Sequence, residues 1–431
     1  MGIRLQFEGI RCFSAPHDAP IRPITLLVGE NSSGKTTFLA LCRLGYAMVW
    51  ESLEPPPFNE PPFLLGAYDQ IASHRGARNG HARSFSIGIT VDRGPRQKSV
   101  RAEFAPRNGQ ASTRSLRLSS DNVALEVTSR RPGEHAFILE SPRGKTEIPA
   151  NRQFQFAMVM QYPISELAGY IVNAAQGAGG SLRDVIFSDS DWEGLDSARK
   201  VLREEISRRP YAFAPIRTSP QRTYDPVAVR SEPEGSHVPM TLANLSRSSA
   251  KTEWAALQSA LSVFGSNSDL FEEIEIVNKG KKESDPFQVG IKSGDPVFNL
   301  IDVGYGVSQV LPILVDILRR KSAFEFFLIQ HPEVHLHPRA QAELGSFFAK
   351  QADSRRRLVI ETHSDHLVDR VRMEVRNKVL RPEDVSLLYF ERLKHGATIH
   401  NLELDSDGSI TNPPPGYREF FLKEERSFLG V

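Results

Sequence analysis

Ile24-Thr25-Leu26-Leu27-Val28-Gly29-Glu30-Asn31-Ser32-Ser33-Gly34-Lys35-Thr36-Thr37 is the stretch that decides the fold. Its first five residues are apolar or β-branched, the composition of a strand buried on both faces of a sheet. Gly29 to Thr36 has the spacing G-x-x-x-x-G-K-T, and residues 38–50 continue with helical spacing, Leu39, Leu41 and Cys42 being expected on one apolar face. Strand, glycine loop and helix therefore occur in the order a phosphate-binding loop requires. A polyphosphate concentrates negative charge on a short chain, and backbone N–H groups at a helix N-terminus are suited to hold it. Gly29 and Gly34 let the backbone wrap closely around Asn31, Ser32 and Ser33. Lys35 would reach the β- and γ-phosphates as a point charge, and the hydroxyl of Thr36, followed by Thr37, would ligate Mg²⁺.

On the N-terminal side, residues 3–8 and 10–13 read as short strands. On the C-terminal side, the Pro-rich segment 54–62 ends the helix in a surface loop, and alternation between 84 and 128 predicts an antiparallel sheet. Residues 150–290 mix helical patterns, at 182–209 and 253–264, with Pro- and Ser-rich loops. After residue 298 the pattern alternates: helix 307–320, strand 324–329, helix 338–350, strand 358–360, then strands at 385–391 and 398–404. Such alternation predicts an α/β fold with a mixed or parallel core sheet, an antiparallel β subdomain and a helical inserted region. The expected domains are an N-terminal lobe 1–150, an inserted and largely helical region 151–290, and a C-terminal lobe 291–431. Neither a fixed-period repeat nor a long heptad run is visible.

Composition narrows the functional classes. Lys and Arg total 53 against 52 for Asp and Glu, a net charge of +1, so no global field draws the chain onto nucleic acid and any such contact must be local. The basic runs at 279–282 and 355–357 lack interleaved aromatics and read as solvated faces. Two cysteines, Cys12 and Cys42, fit a reducing compartment better than a disulfide framework. With no secretory signal and no apolar run of about 18 residues, the expected location is the cytoplasm, without membrane insertion.

A phosphate loop alone does not choose among ATPases and GTPases. Two later segments narrow the choice: Asp302-Val303-Gly304-Tyr305-Gly306-Val307-Ser308-Gln309-Val310-Leu311-Pro312, and Leu328-Ile329-Gln330-His331-Pro332-Glu333-Val334-His335-Leu336-His337-Pro338 with Glu361-Thr362-His363-Ser364-Asp365 beyond it. With the phosphate loop as Walker A, the first of these resembles a signature segment, LIQHPEVHLHP a Walker B strand with its D-loop, and ETHSDHL a switch-histidine strand. Together they resemble the ABC-type ATPases of the AAA-15 and AAA-21 groups, relatives of OLD, RecF-like and Rad50-like proteins. The resemblance implies ATP and Mg²⁺ as cofactors and a head-to-tail homodimer or higher oligomer. In it Gly304, Gly306 and Ser308 touch the nucleotide of the partner subunit, and His363 senses the γ-phosphate.

The chain departs from that pattern at the Walker B strand. An acid that positions Mg²⁺ and a Glu that polarises water are usual there, but Gln330 and His331 occupy the two places. Gln330 is left as the candidate metal contact, with His331, Glu333 and His363 as candidate catalytic residues, Glu333 being the nearest acid able to activate water. Slow hydrolysis is expected, with ATP acting as a clamp. The imidazoles of His331, His335 and His337 do not share a helical face, and Pro332 and Pro338 interrupt any helix there, so they are not expected to bind zinc. The acidic stretches 189–193 and 405–408 read as a solvated loop and a hairpin turn. Only 23 residues follow Gly408, so an associated nuclease is expected on another polypeptide. The function implied is that of an ATPase that scaffolds or restrains a separate effector, a nuclease or toxin, in phage defence resembling PARIS or Septu. The alternative is a RecF- or Rad50-like repair ATPase that clamps DNA.

Overall fold

A computed structural model describes residues 2–74, 80–93, 96–131, 134–150, 154–177, 187–206, 209–226, 230–247, 251–319, 325–415 and 417. In chain order its first elements are β1 (Gly2–Glu8), β2 (His17–Ile21), β3 (Ile24–Gly29), α1 (Lys35–Trp50), β4 (Asn59–Glu60), β5 (Phe63–Leu64), α2 (Tyr68–Ile71), β6 (Phe85–Arg93), β7 (Arg96–Arg107), β8 (Gln110–Ser120), β9 (Val123–Arg131), β10 (Glu134–Ser141), β11 (Gly144–Ala150), α3 (Ala157–Gln161), α4 (Ile164–Gly177) and α5 (Asp189–Glu205). There follow β12 (Tyr211–Phe213), α6 (Val238–Arg247), α7 (Lys251–Ser268), β13 (Glu273–Asn278), β14 (Phe287–Lys292), β15 (Phe298–Asn299), α8 (Tyr305–Arg319), β16 (Glu325–Gln330), α9 (Pro338–Gln351), β17 (Arg356–Glu361), α10 (Asp365–Arg376), β18 (Val385–Leu393) and β19 (Gly396–Leu402). The chain divides into two compact units, one of Met1–Ile21, Glu30–Pro210 and Phe390–Asn401, the other of Arg22–Gly29, Tyr211–Tyr389 and Leu402–Val431.

The first unit is built on an eight-stranded antiparallel sheet in the order β11-β10-β9-β8-β7-β6-β1-β2. Consecutive strands from β6 to β11 are hairpins, and Asn108 (φ 52) with Gly109 (φ 76) makes the tight turn between β7 and β8 that an Asn-Gly pair favours. Helix α1 is buried around most of its circumference, from Thr37 through Val49, so the single apolar face expected for it is too narrow a description. At Gly45 it packs so closely that an added Cβ would lie 2.1 Å from Ile89 Cδ1 on β6. Residues 10–13, expected as a strand, instead form a turn closed by an Ile10–Phe13 bridge.

The stretch 189–193 is not a loop. It opens α5, where the Asp191 carboxylate accepts from the Ser188 amide at 2.7 Å and from its hydroxyl at 2.7 Å. Part of the helix expected over 182–209 lies outside the described residues.

In the second unit the strands run β12-β16-β17-β3-β18, with β12, β16, β17 and β3 parallel. All six residues of β3 are buried, as an apolar run covered on both sides requires. Ile24, Leu26 and Val28 join Phe327, Ile329, Leu358 and Ile360 in one core with Val310, Ile313 and Leu314 of α8. An antiparallel sheet, β13-β14-β15, and helices α6 and α7 complete this unit.

Candidate nucleotide site

In the first unit the loop enters α1 through two left-handed residues, Ser32 (φ 61) and Gly34 (φ 101). Gly34 is needed twice over. Its φ disfavours any side chain, and a Cβ there would stand 2.3 Å from Phe13 Cζ and 2.8 Å from Cys12 Sγ. Gly34 brings no capping side chain, so the positive end of the α1 dipole is left for an external anion. Ser33 is fully buried and its hydroxyl donates to the Glu30 carbonyl at 2.7 Å, while Lys35, 3% exposed, donates from Nζ to that same carbonyl at 2.7 Å. Asn31, Ser32 and Thr36 are exposed. Thr37 turns inward and accepts from Arg11 Nη1 at 3.2 Å, which makes it a support of the loop. A glycine cradle at a helix N-terminus, with a lysine at the first helical position and an exposed threonine next to it, fits a Mg²⁺-bound polyphosphate.

The second unit gathers the other candidates at the ends of β16 and β17. Gln330 is buried, and the chain then turns through His331 in the left-handed region (φ 44). The His331 amide donates to the Glu361 carbonyl at 2.9 Å. Its ring is held between two carboxylates, with Nδ1 3.6 Å from Glu333 Oε1 and Nε2 3.7 Å from Glu361 Oε1, and it stacks on His363 at 5.2 Å between centroids.

Glu333 Oε1 also accepts from the His363 amide at 2.8 Å, whereas the buried Oε2 has no hydrogen-bond partner among the described residues. Burial pushes the Glu333 carboxyl up, but hydrogen bonds from His331 and the His363 amide outweigh it and hold the group below the usual carboxylate range. At neutral pH it is an ionised acceptor. Gln330 can offer a cation an amide oxygen but no charge.

Sequence reasoning gave no role to two participants. One is Glu361, whose only signal was a carboxylate ending the apolar strand Leu358-Val359-Ile360. The other is Arg217, 2% exposed, whose Nη2 donates to the Gln330 carbonyl at 2.8 Å and Nη1 to that of His331 at 3.4 Å. Burial lowers the Arg217 guanidinium to about 10, an effect opposed by the Glu333 carboxylate. Its amide donates to Gln309 Oε1 at 3.1 Å, so one residue ties α8 to the end of β16.

The signature-like segment starts α8. Gly306 approaches the neighbouring backbone so closely that a Cβ would stand 2.7 Å from the His335 carbonyl oxygen, whereas one on Gly304 would meet nothing within 4 Å. Ser308 is buried and donates to the Tyr305 carbonyl at 2.9 Å. Among the described residues no group of three or more His, Cys, Asp or Glu side chains is placed so that it could hold a metal ion by itself, and no helix is long and apolar enough to cross a membrane.

Residues 187–369 match the family model described as "AAA domain, putative AbiEii toxin, Type IV TA system". That stretch is thus similar to an AAA domain; the match spans less than half of the chain and begins after the phosphate loop. No curated protein matches the chain. Among solved structures, an SMC head bound to the C-winged helix domain of ScpA is 11% identical, with 93% of this chain and 97% of that one covered and a TM-score of 0.45. The SMC head domain from Thermotoga maritima is 12% identical over 94% of this chain and 100% of that one, with a TM-score of 0.40. An Smc head with an extended coiled coil, bound to the C-terminal domain of ScpA from Pyrococcus furiosus, is 11% identical over 99% and 98%, with a TM-score of 0.42. Likeness at this level is loose and decides nothing about ligand or partner.

Proposed function

We propose that this chain, whose residues 187–369 match an AAA-domain family model, is an ATPase of the ABC type that binds ATP with Mg²⁺, turns it over slowly, and uses the bound nucleotide to associate with a second copy of itself. The observation that carries the reading is the phosphate loop: Gly34, which admits no side chain, delivers Lys35 and Thr36 to the N-terminus of a long buried helix. Lys35 would leave the Glu30 carbonyl for the β- and γ-phosphates, and Thr36 would supply a hydroxyl to Mg²⁺. Gly304, with open space around its Cα, suits close approach by a partner's ligand, and Tyr305 beside it is exposed.

Slow turnover is inferred from Gln330 and His331. Neither brings the fixed negative charge by which the family holds its metal and polarises water. Glu333 keeps an ionised carboxylate there, with His331 and the His363 amide fixing its position, so it is the residue assigned to water activation.

An ATPase of this kind is suited to regulate rather than to drive. The finer reading is that nucleotide-held assemblies scaffold a separate effector, a nuclease or toxin, in antiviral defence. Lys35→Ala removes the phosphate contact without disturbing the helix. By calorimetry it should bind ATP at least tenfold more weakly, and by light scattering it should lose ATP-dependent assembly. Assembly unaffected by the substitution would eliminate the clamp.

A further inference from the structure

Two irregularities in the antiparallel sheet of the first unit carry an inference that is independent of the nucleotide reading. Along β7 and β8 the register passes from Glu103–Ser115 to Phe104–Thr113, so Arg114 has no partner on β7 and is the extra residue of a β-bulge. Along β9 and β10 it passes from Ser129–His135 to Arg131–Glu134, which makes Arg130 the extra residue of a second bulge on the adjacent strand. Bulges re-aim side chains, and they cluster beside functional sites. Both of these present an arginine at one end of the sheet.

The two side chains converge. With Arg107 from the end of β7 and Arg131 from the end of β9, they line an open groove of about 210 Å³ whose other polar lining includes Ser112 and Ser129. No carboxylate lines it among the described residues. All four arginines are exposed. Arg114 pairs with Glu103 at 3.3 Å and Arg130 with Glu147, but both are solvent-exposed pairs of the kind that an incoming anion readily replaces. A chain with a net charge of +1 thus concentrates four guanidinium groups on one short edge. Guanidinium forks beside hydroxyl donors are the donor set that recognises phosphate oxygens.

The geometry points to a docking groove for the phosphodiester backbone of a nucleic acid, read without regard to sequence. Crossing from β7 to β9 takes two strand spacings, roughly 10 Å, about the rise of three nucleotides along one strand of a duplex. Among the described residues Ala105 and Pro106 are its only apolar lining and no aromatic ring lines it, so they offer neither a wedge for a bilayer nor a platform for stacked bases.

The test is fluorescence anisotropy of the full chain with labelled single- and double-stranded oligonucleotides of mixed sequence between 50 and 200 mM salt. Parallel arms use anionic phosphatidylserine vesicles and inorganic phosphate as probes. Wild type should bind the oligonucleotides, and the quadruple variant R107A/R114A/R130A/R131A should lose at least tenfold in affinity. Its salt slope on duplex should fall by about 0.9 for each phosphate contact removed. The quadruple Arg→Lys variant, which keeps the charge, should retain part of the binding and reports on the groove should the alanine variant fold poorly. A control lacking Arg355 and Arg381, and Lys35→Ala, should bind as wild type; that last result separates this groove from the ATP reading. The proposal is overturned by absence of oligonucleotide binding in wild type, by equal binding in well-folded quadruple variants, or by binding of vesicles or inorganic phosphate alone.

Discussion

His331 illustrates how a residue that breaks a family pattern can be locally well fitted. Its φ of 44 is one that histidine tolerates better than bulky residues do. Its ring stands between the carboxylates of Glu333 and Glu361, each within 4 Å. An imidazole can share a proton with either. A glutamate at this position, which would restore the family's acid, would face two carboxylates in a largely buried setting. His331→Glu is therefore expected to destabilise the protein by roughly 3 kcal/mol, whereas His331→Gln keeps the fold. Urea unfolding of the two variants side by side measures the difference, and a glutamate variant as stable as the glutamine one would remove the charge argument. The sequence showed that an acid was missing here. It did not show Glu361 approaching from the neighbouring strand.

Helix α8 separates two meanings of glycine. Gly306 is fixed by the His335 carbonyl against which the helix start lies, so Gly306→Ala forces backbone apart and should cost about 1–3 kcal/mol of stability. Gly304 has open space around it and an ordinary φ, so Gly304→Ala should leave the melting temperature within about 1 °C while weakening ATP-dependent association. Melting and light scattering on the two variants read both effects, and a Gly304→Ala protein that assembles normally would leave Gly304 without a role at an interface. At this scale the sequence was legible where the periodicity was strong, as at α8, α9, β16 and β17. At 189–193 it gave two readings, the helical pattern of 182–209 and a loop suggested by the acidic residues, and the helix is the one that forms. The Ser188–Asp191 spacing was itself a helix-start signal.

Taken whole, the chain balances its charge and carries its chemistry in local concentrations: a phosphate loop in one compact unit, a Gln330–His331–Glu333–Glu361–His363 cluster in the other, and an arginine groove on the antiparallel sheet. A ligand that binds only the folded state stabilises it by about 2.7 kcal/mol at a hundredfold excess over Kd. Mg²⁺-ATP at that excess should raise the melting temperature by a few degrees and leave that of Lys35→Ala unchanged, as read by scanning calorimetry. An equal rise in both proteins would place the nucleotide elsewhere. By itself the sequence determined the strand, glycine loop and helix in that order, the parallel strands, and the absence of an acid at Gln330 and His331, because each is written in contiguous residues whose spacing is their geometry. Only the tertiary structure decided what surrounds them. Arg217 reaches the Gln330 carbonyl across 113 residues of chain, Glu361 meets His331 because β16 and β17 are parallel neighbours, and the arginines converge because two bulges shift the register of adjacent hairpins. Strand pairing and register set those contacts, and neither is fixed by any local run of residues.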